Sequence, residues 1–286
     1  MAANYWDSTQ AKYWTFTNAE LAEMRQELAD SEQQHDLSTR FPLPDRRLVS
    51  IYLQHNLVRL AKRMSLRQQA LATALVYIKR YYLRVEIRRT NPYLIMTTAV
   101  YLACKMEECP QHIRLMLGEA ARQWPEMGVS ESSKIGECEF ALISTLNSRL
   151  IVHHPYRSLA EFTPLFGLTG DEQTLAANII NDSYNTDLSL TSAPHIIAIA
   201  AIFLAVVLRP TGQAAQNYTA ASSPASLKQV GPKLGKLVDW LAESKVDMGA
   251  VVDATQEMIS LYEVWEQYHE RICRESFAKF MHTANK

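Results

Sequence analysis

The chain has 286 residues, 48% of them hydrophobic and 21% charged, and its net charge is −1. That is room for two domains of ordinary size, and the composition is that of an ordinary soluble globular protein. No N-terminal stretch resembles a secretion signal and no apolar run is long enough to span a bilayer. Only nine glycines and no sustained strand alternation point to an all-α protein.

The elements follow in series. Residues 1–44 are an N-terminal helical arm and connector. The arm's helix is predicted around Asn18 to Asp30, with Leu21, Met24 and Leu28 at helical spacing and Thr17 or Asn18 as its cap. The rings of Tyr5 and Trp6 ahead of it need a surface, either the body of the protein or a partner. Phe41 to Asp45 is a stiff Pro-rich connector. Five helices are then predicted: about 45–62, 66–82, 92–108, 113–124, and from Ser130 or Ser132 to about 146. Pro92 sits at a helix start and Pro110 is a stop signal.

After His153-His154-Pro155 the series restarts. A helix runs to Phe166 and ends at Gly167, a second is capped by Asp171, and a third covers Pro194 to Leu208. Further helices lie at about 233–242 and 247–269. The stretch 209–226 is rich in Gly, Ser, Pro and Ala and reads as a flexible insertion. The third helices of the two series are nearly the same text. Pro92, Ile95, Ala99, Leu102 and Ala103 match Pro194, Ile197, Ala201, Leu204 and Ala205, 102 residues further on. The domains are therefore the arm, a first helical unit 45–152, a second 153–272 containing the insertion, and a C-terminal tail 273–286.

The chemistry-bearing motifs are absent: no phosphate loop, no HExxH, no CxxC, no nucleophile elbow and no protein-kinase signature. No catalytic group, cofactor or metal is expected. The four cysteines (Cys104, Cys109, Cys138, Cys273) show no paired spacing and read as reduced thiols. From Asp45 to Lys105 the chain carries twelve Lys or Arg residues against Asp45 and Glu86 alone. These are solvated helix faces, a surface that meets acidic or phosphorylated protein, or a nucleic-acid surface, although no aromatic stacking pattern is interleaved with the charges.

The two third helices differ at their ends. The first closes on Lys105-Met-Glu-Glu108, which puts acids at the negative end of a helix dipole. On the fifth helix Glu139 borders the apolar stripe Ile135, Cys138, Leu142, Leu146 and wants a cation. Lys105 is the candidate. The pair is either an internal ion pair or a charged anchor shown to a partner.

Tyr101-Leu-Ala-Cys-Lys-Met-Glu-Glu108 resembles the Leu-Ala-Ser-Lys-Phe-Glu-Glu segment of the cyclins, with Glu139 where that family carries an acid on its fifth helix. Further stretches are similar to the C-type cyclins of the Mediator kinase module: Asn4-Tyr-Trp6, Leu66-Arg-Gln-Gln69, Glu137-Cys-Glu-Phe140, Leu150 to Arg157, Ile180 to Tyr184 and Leu261 to Trp265. The resemblance implies two tandem five-helix cyclin boxes. It implies a nuclear, non-catalytic subunit that binds and activates a cyclin-dependent kinase of that module, beside the module's other subunits, and so regulates RNA polymerase II transcription. It implies kinase contacts at Lys105, Met106, Glu108 and Glu139, and a groove for an activating subunit at Trp6, Asn181, Asp182 and Tyr262. Direct nucleic-acid or membrane binding is not implied. The substrate-docking patch of cell-cycle cyclins is not matched, because no Trp follows Arg46 to Leu57. A nucleic-acid-binding factor of the TFIIB type, built on the same double fold, is the alternative.

Overall fold

The structure is a computed structural model that describes residues 4–33, 37–125, 131–208 and 232–284. The secondary structure of these residues is helical throughout, with no strand among them. By internal packing the chain divides into a unit made of residues up to His153 together with Leu261 onward, and a unit made of His154–Ser260.

In the first unit, a 3-10 turn (Tyr5–Asp7) and α1 (Thr9–Tyr13) lead into α2 (Asn18–Gln33). Thr17 caps α2. Its hydroxyl accepts the Glu20 amide at 3.2 Å while the Glu20 carboxylate accepts the Thr17 amide at 2.7 Å, a reciprocal box that satisfies two orphan donors. Trp14 and Leu21 are buried, so the arm packs on the body. Gln10 clips it there: its Oε1 accepts the His153 amide at 2.6 Å and its Nε2 donates to the His153 carbonyl at 3.4 Å. α3 (Leu37–Arg40) follows.

The first box comprises α4 (Arg46–Arg63), α5 (Gln68–Tyr82), α6 (Pro92–Met106), α7 (Ile113–Gln123) and α8 (Ser132–Thr145). α6 is its axis, packed chiefly on α5 and α8. Ala70, Ala72 and Ala74 on α5 and Ala99 and Ala103 on α6 are all buried, and such small residues let helices approach closely. Several polar groups inside are paired. Tyr52 and Tyr93 share a hydrogen bond of 2.7 Å, and the Trp124 indole donates to Asn56 Oδ1 at 2.9 Å. The stretch expected as a tail from 273 is instead a helix of this same unit, α15 (Glu270–Ala284), the last in chain order. It buries Cys273, Phe277, Phe280 and Met281, and Phe277 lies 4.9 Å from the Tyr52 ring. Its apolar positions, three and four apart, are a core stripe.

The second unit holds α9 (Pro155–Phe166), α10 (Gly170–Ser183), α11 (Leu188–Thr191), α12 (Pro194–Leu208), α13 (Pro232–Glu243) and most of α14 (Met248–Trp265). α12 is the axis, packed on α10 and α9. Gly167 ends α9 at φ +63°, a backbone conformation costly for any side chain with a Cβ. The cap of α10 is Thr169, not the expected Asp171: Thr169 and Glu172 form a second reciprocal box. Glu172 is buried and also accepts Lys233 Nζ at 2.7 Å, which ties α13 to the start of α10. The insertion expected at 209–226 lies outside the described residues. By packing the division is 1–153 with 261–286 and 154–260, beside the bounds 45–152 and 153–272 read from the sequence, and the 260/261 boundary falls within α14.

Candidate functional site

The charged end of α6 is the conspicuous feature of the sequence, and its local geometry explains how the charges are held. α6 stops at Met106, two residues before the predicted end. The Cys109 amide donates to the Cys104 carbonyl at 2.9 Å and the Glu108 amide to the Lys105 carbonyl at 3.4 Å. These crossed bonds form a Schellman turn, whose left-handed position is usually glycine. In this chain it is Glu108, at φ +53°. A non-glycine residue there costs about 1 kcal/mol, and the return is an exposed carboxylate just beyond the helix. Glu107 turns the other way and accepts the Thr73 hydroxyl of α5 at 2.5 Å. Burial, then the neighbouring Cys109 thiol, push the Cys104 thiol up to about 12, so Cys104 stays a neutral core thiol.

Lys105 does pair with Glu139. Their side chains are 39% and 15% exposed, so the carboxylate is half-buried and the ammonium open on one side. The Lys105 ammonium also lies 4.7 Å from the Tyr101 ring centroid, one turn back on α6. Both sequence readings share this geometry: it is an internal ion pair, and one whose lysine a partner could still cover. The residue after each partner is apolar and exposed, Met106 at 38% and Phe140 at 79%. Phe140 stands in one of the family-like motifs, but the sequence alone gave it no role. The available signal was its place outside the Ile135–Cys138–Leu142–Leu146 stripe, which turns a large ring to solvent.

The other candidates divide between the units. In the first, Trp6 is exposed with its ring edge-on to Tyr5 at 5.2 Å, and Tyr262 is intermediate in exposure. In the second, Asn181 accepts the Tyr156 hydroxyl at 2.7 Å, and Asp182 is likewise of intermediate exposure. Part of the basic run is answered by acids, two of them distant in sequence and one, Glu86, close by. Arg59 forms a two-pronged pair with Glu270 (both 2.5 Å), Arg63 meets Glu119 at 2.9 Å, and Arg88 meets Glu86.

The sequence pattern described as "Cyclin, N-terminal domain" matches residues 12–151. The RNA polymerase II holoenzyme cyclin-like subunit of Emericella nidulans is 53% identical over 98% of each chain. The chain belongs to the cyclin family. The corresponding subunit of Aspergillus fumigatus is 52% identical over 100% of this cyclin and 99% of that protein. Solved structures show the same fold at low identity. A chain of the CAK complex from Chaetomium thermophilum bound to ATP-gamma-S superposes with a TM-score of 0.70 at 20% identity, covering 99% of this cyclin and 88% of that chain. A chain of the yeast TFIIK complex gives 0.62 at 20% identity, over 90% and 99%. The match at 12–151 takes in Lys105, Met106, Glu108 and Glu139 of this cyclin and excludes Trp6, Asn181, Asp182 and Tyr262.

Proposed function

We propose that this cyclin is the non-catalytic regulatory subunit of a transcriptional cyclin-dependent kinase in the Mediator kinase module, acting in the nucleus on RNA polymerase II transcription. The relatives named as RNA polymerase II holoenzyme subunits support the setting. Chains of similar fold occur in kinase complexes: CAK, TFIIK and the RNA polymerase II CTD kinase CTDK-1. The observation that carries the reading is the edge formed by α6 and α8. The half-buried Lys105–Glu139 pair and the exposed Glu108 lie beside two large apolar groups left in water, Met106 and Phe140. A charged anchor next to exposed apolar side chains is the kind of surface a protein partner desolvates.

The action is a population shift. A cyclin that binds the kinase better when its αC helix is turned in stabilises the Lys–Glu ion pair of the kinase active site, and activity rises by that difference in affinity. Asn181 and Asp182, and separately Trp6 and Tyr262, are the residues we assign to a further subunit of the module. The experiment is a comparison of two readouts. As a part-exposed pair, Lys105–Glu139 contributes about 0.2–1 kcal/mol to the free chain. Once covered, loss of one partner leaves a desolvated charge costing about 3–5 kcal/mol. Lys105→Ala should therefore barely move the melting temperature yet abolish copurification of the kinase from the host. Equal small effects on both would reduce the pair to an internal strut.

A further inference from the structure

After the ion pairs are assigned, three guanidinium groups of the first unit remain together without an acid among the described residues. Arg80, on α5, is fully buried, and its Nε and Nη2 have no hydrogen-bond partner among the described residues. Its Nη1 donates to the Arg149 carbonyl at 3.3 Å, and it lies 5.0 Å from the Trp14 ring centroid. Arg84, one turn along α5, is 4.5 Å from the same ring and donates to the Thr145 carbonyl at the end of α8 at 2.8 Å. Arg149 lies 3.5 Å from the Tyr13 ring centroid. Arg84 is exposed and Arg149 is of intermediate exposure, while Arg80 is buried beside the rings of the arm. Burial pushes Arg80 down to about 10, so it stays charged at neutral pH. Burial and then the like charge of Arg149 lower Arg84. No carboxylate acts on either group. An arginine buried without an acid is costly, and two more beside it add repulsion.

We infer that Arg80, Arg84 and Arg149 form an oxyanion site that takes a phosphorylated side chain of the protein packed over α8. A tetrahedral dianion suits three guanidinium donors, which offer forked hydrogen bonds as well as charge. The partner is indicated by position: Arg84 is bonded to the C-terminal end of the helix that carries Glu139 and Phe140. Only this choice of occupant rests on the proposed function; the anion site itself does not.

The probe is inorganic phosphate. The full chain is melted in sodium phosphate, sodium chloride and sodium acetate at matched pH and ionic strength. A saturable rise in melting temperature specific to phosphate is expected, as for any ligand bound by the folded state alone. The variant R84Q/R149Q, which leaves the buried Arg80 in place, should melt cooperatively and lose that rise. General exclusion of phosphate from protein surfaces also raises melting temperatures, but it acts on the variant equally. An undiminished response in the variant therefore overturns the site, as does the same response in all three salts. A response to acetate matching that to phosphate overturns the phosphoryl preference. If the double variant fails to fold, R84K/R149K keeps the charges and loses the forks. A severalfold weaker phosphate response supports the site and an unchanged one overturns it. The occupant is tested on the copurified kinase complex: phosphatase treatment should weaken assembly with the wild-type chain and leave R84Q/R149Q assembly unchanged. If phosphatase has no effect while the phosphate response stands, the site is one for free phosphate and the assigned occupant is wrong.

Discussion

Glu108 shows how one residue carries two opposed demands. Its left-handed backbone favours glycine, and its carboxylate stands exposed at the proposed kinase edge. Replacing it should separate the two. Glu108→Gly is expected to relieve backbone strain and stabilise the free chain by about 0.5–1 kcal/mol, a gain visible in a thermal melt, while weakening kinase binding. A variant that melts lower than the wild type would remove the strain from the account. The pairing of Lys105 with Glu139 was legible in the sequence because the stripe on α8 fixed which face Glu139 bordered, and an acid there needs a cation. The Glu108 turn was not legible. A run of two glutamates carries no mark of positive φ, and Pro110 drew the helix end two residues too far. The acids that answer the basic run were missed for another reason: Glu119 and Glu270 come from other helices, and a count within a window cannot see them.

Among the elements, the helices with strong boundary chemistry were read correctly. α4 begins at its Asp45 cap, α9 ends at Gly167, and α12 runs from Pro194 to Leu208. The capping error at α10 came from preferring an acid in the first turn over the Thr-x-x-Glu box that begins two residues earlier. The larger omission was α15. Its apolar residues are separated by Arg274, Glu275 and Lys279, and the stretch from 273 reads in sequence only as a C-terminal tail. Phe277 sits against both Tyr52 and Tyr93, with ring centroids 4.9 and 6.4 Å away. Phe277→Ala should cost about 3–5 kcal/mol, as for other buried aromatics. Ile272→Ala on the same helix, half exposed, should cost under about 0.5 kcal/mol. Denaturant titration of the two variants checks this, and equal losses would mean that α15 is not a core element.

For the molecule as a whole, acid is the natural stress. Burial first, then Arg59, hold His55 below its ordinary value of 6.5, and burial lowers His195 as well. The unfolded chain therefore takes up these protons before the folded one does, and stability drops as pH falls below 6.5. Two carboxylates add a second fall. For Glu270 the hydrogen-bonded Arg59 outweighs burial. For Glu172 burial acts upward but is outweighed by Lys233 and the Thr169 box. Both titrate below their ordinary 4.5 in the fold, so the stability they contribute is present above that pH and lost beneath it. Melting temperature should descend in two steps from pH 7 to pH 3. H55Q/H195Q should flatten the upper step and Glu172→Gln part of the lower. A melting temperature that climbs on acidification would contradict both assignments.

The return of the chain to its first unit has a consequence for biosynthesis. Residues 4–153 leave the ribosome first, but the surface formed by Tyr52 and Tyr93 is covered only when Phe277 arrives. At ordinary elongation rates of about 5–20 residues per second, that interval is on the order of 10 s. The second unit is continuous from His154 to Ser260 and has no such wait. The half of the molecule that carries the proposed kinase edge is begun first and finished last, so a nascent chain cut short before α15 presents Lys105 and Glu139 on an incomplete core.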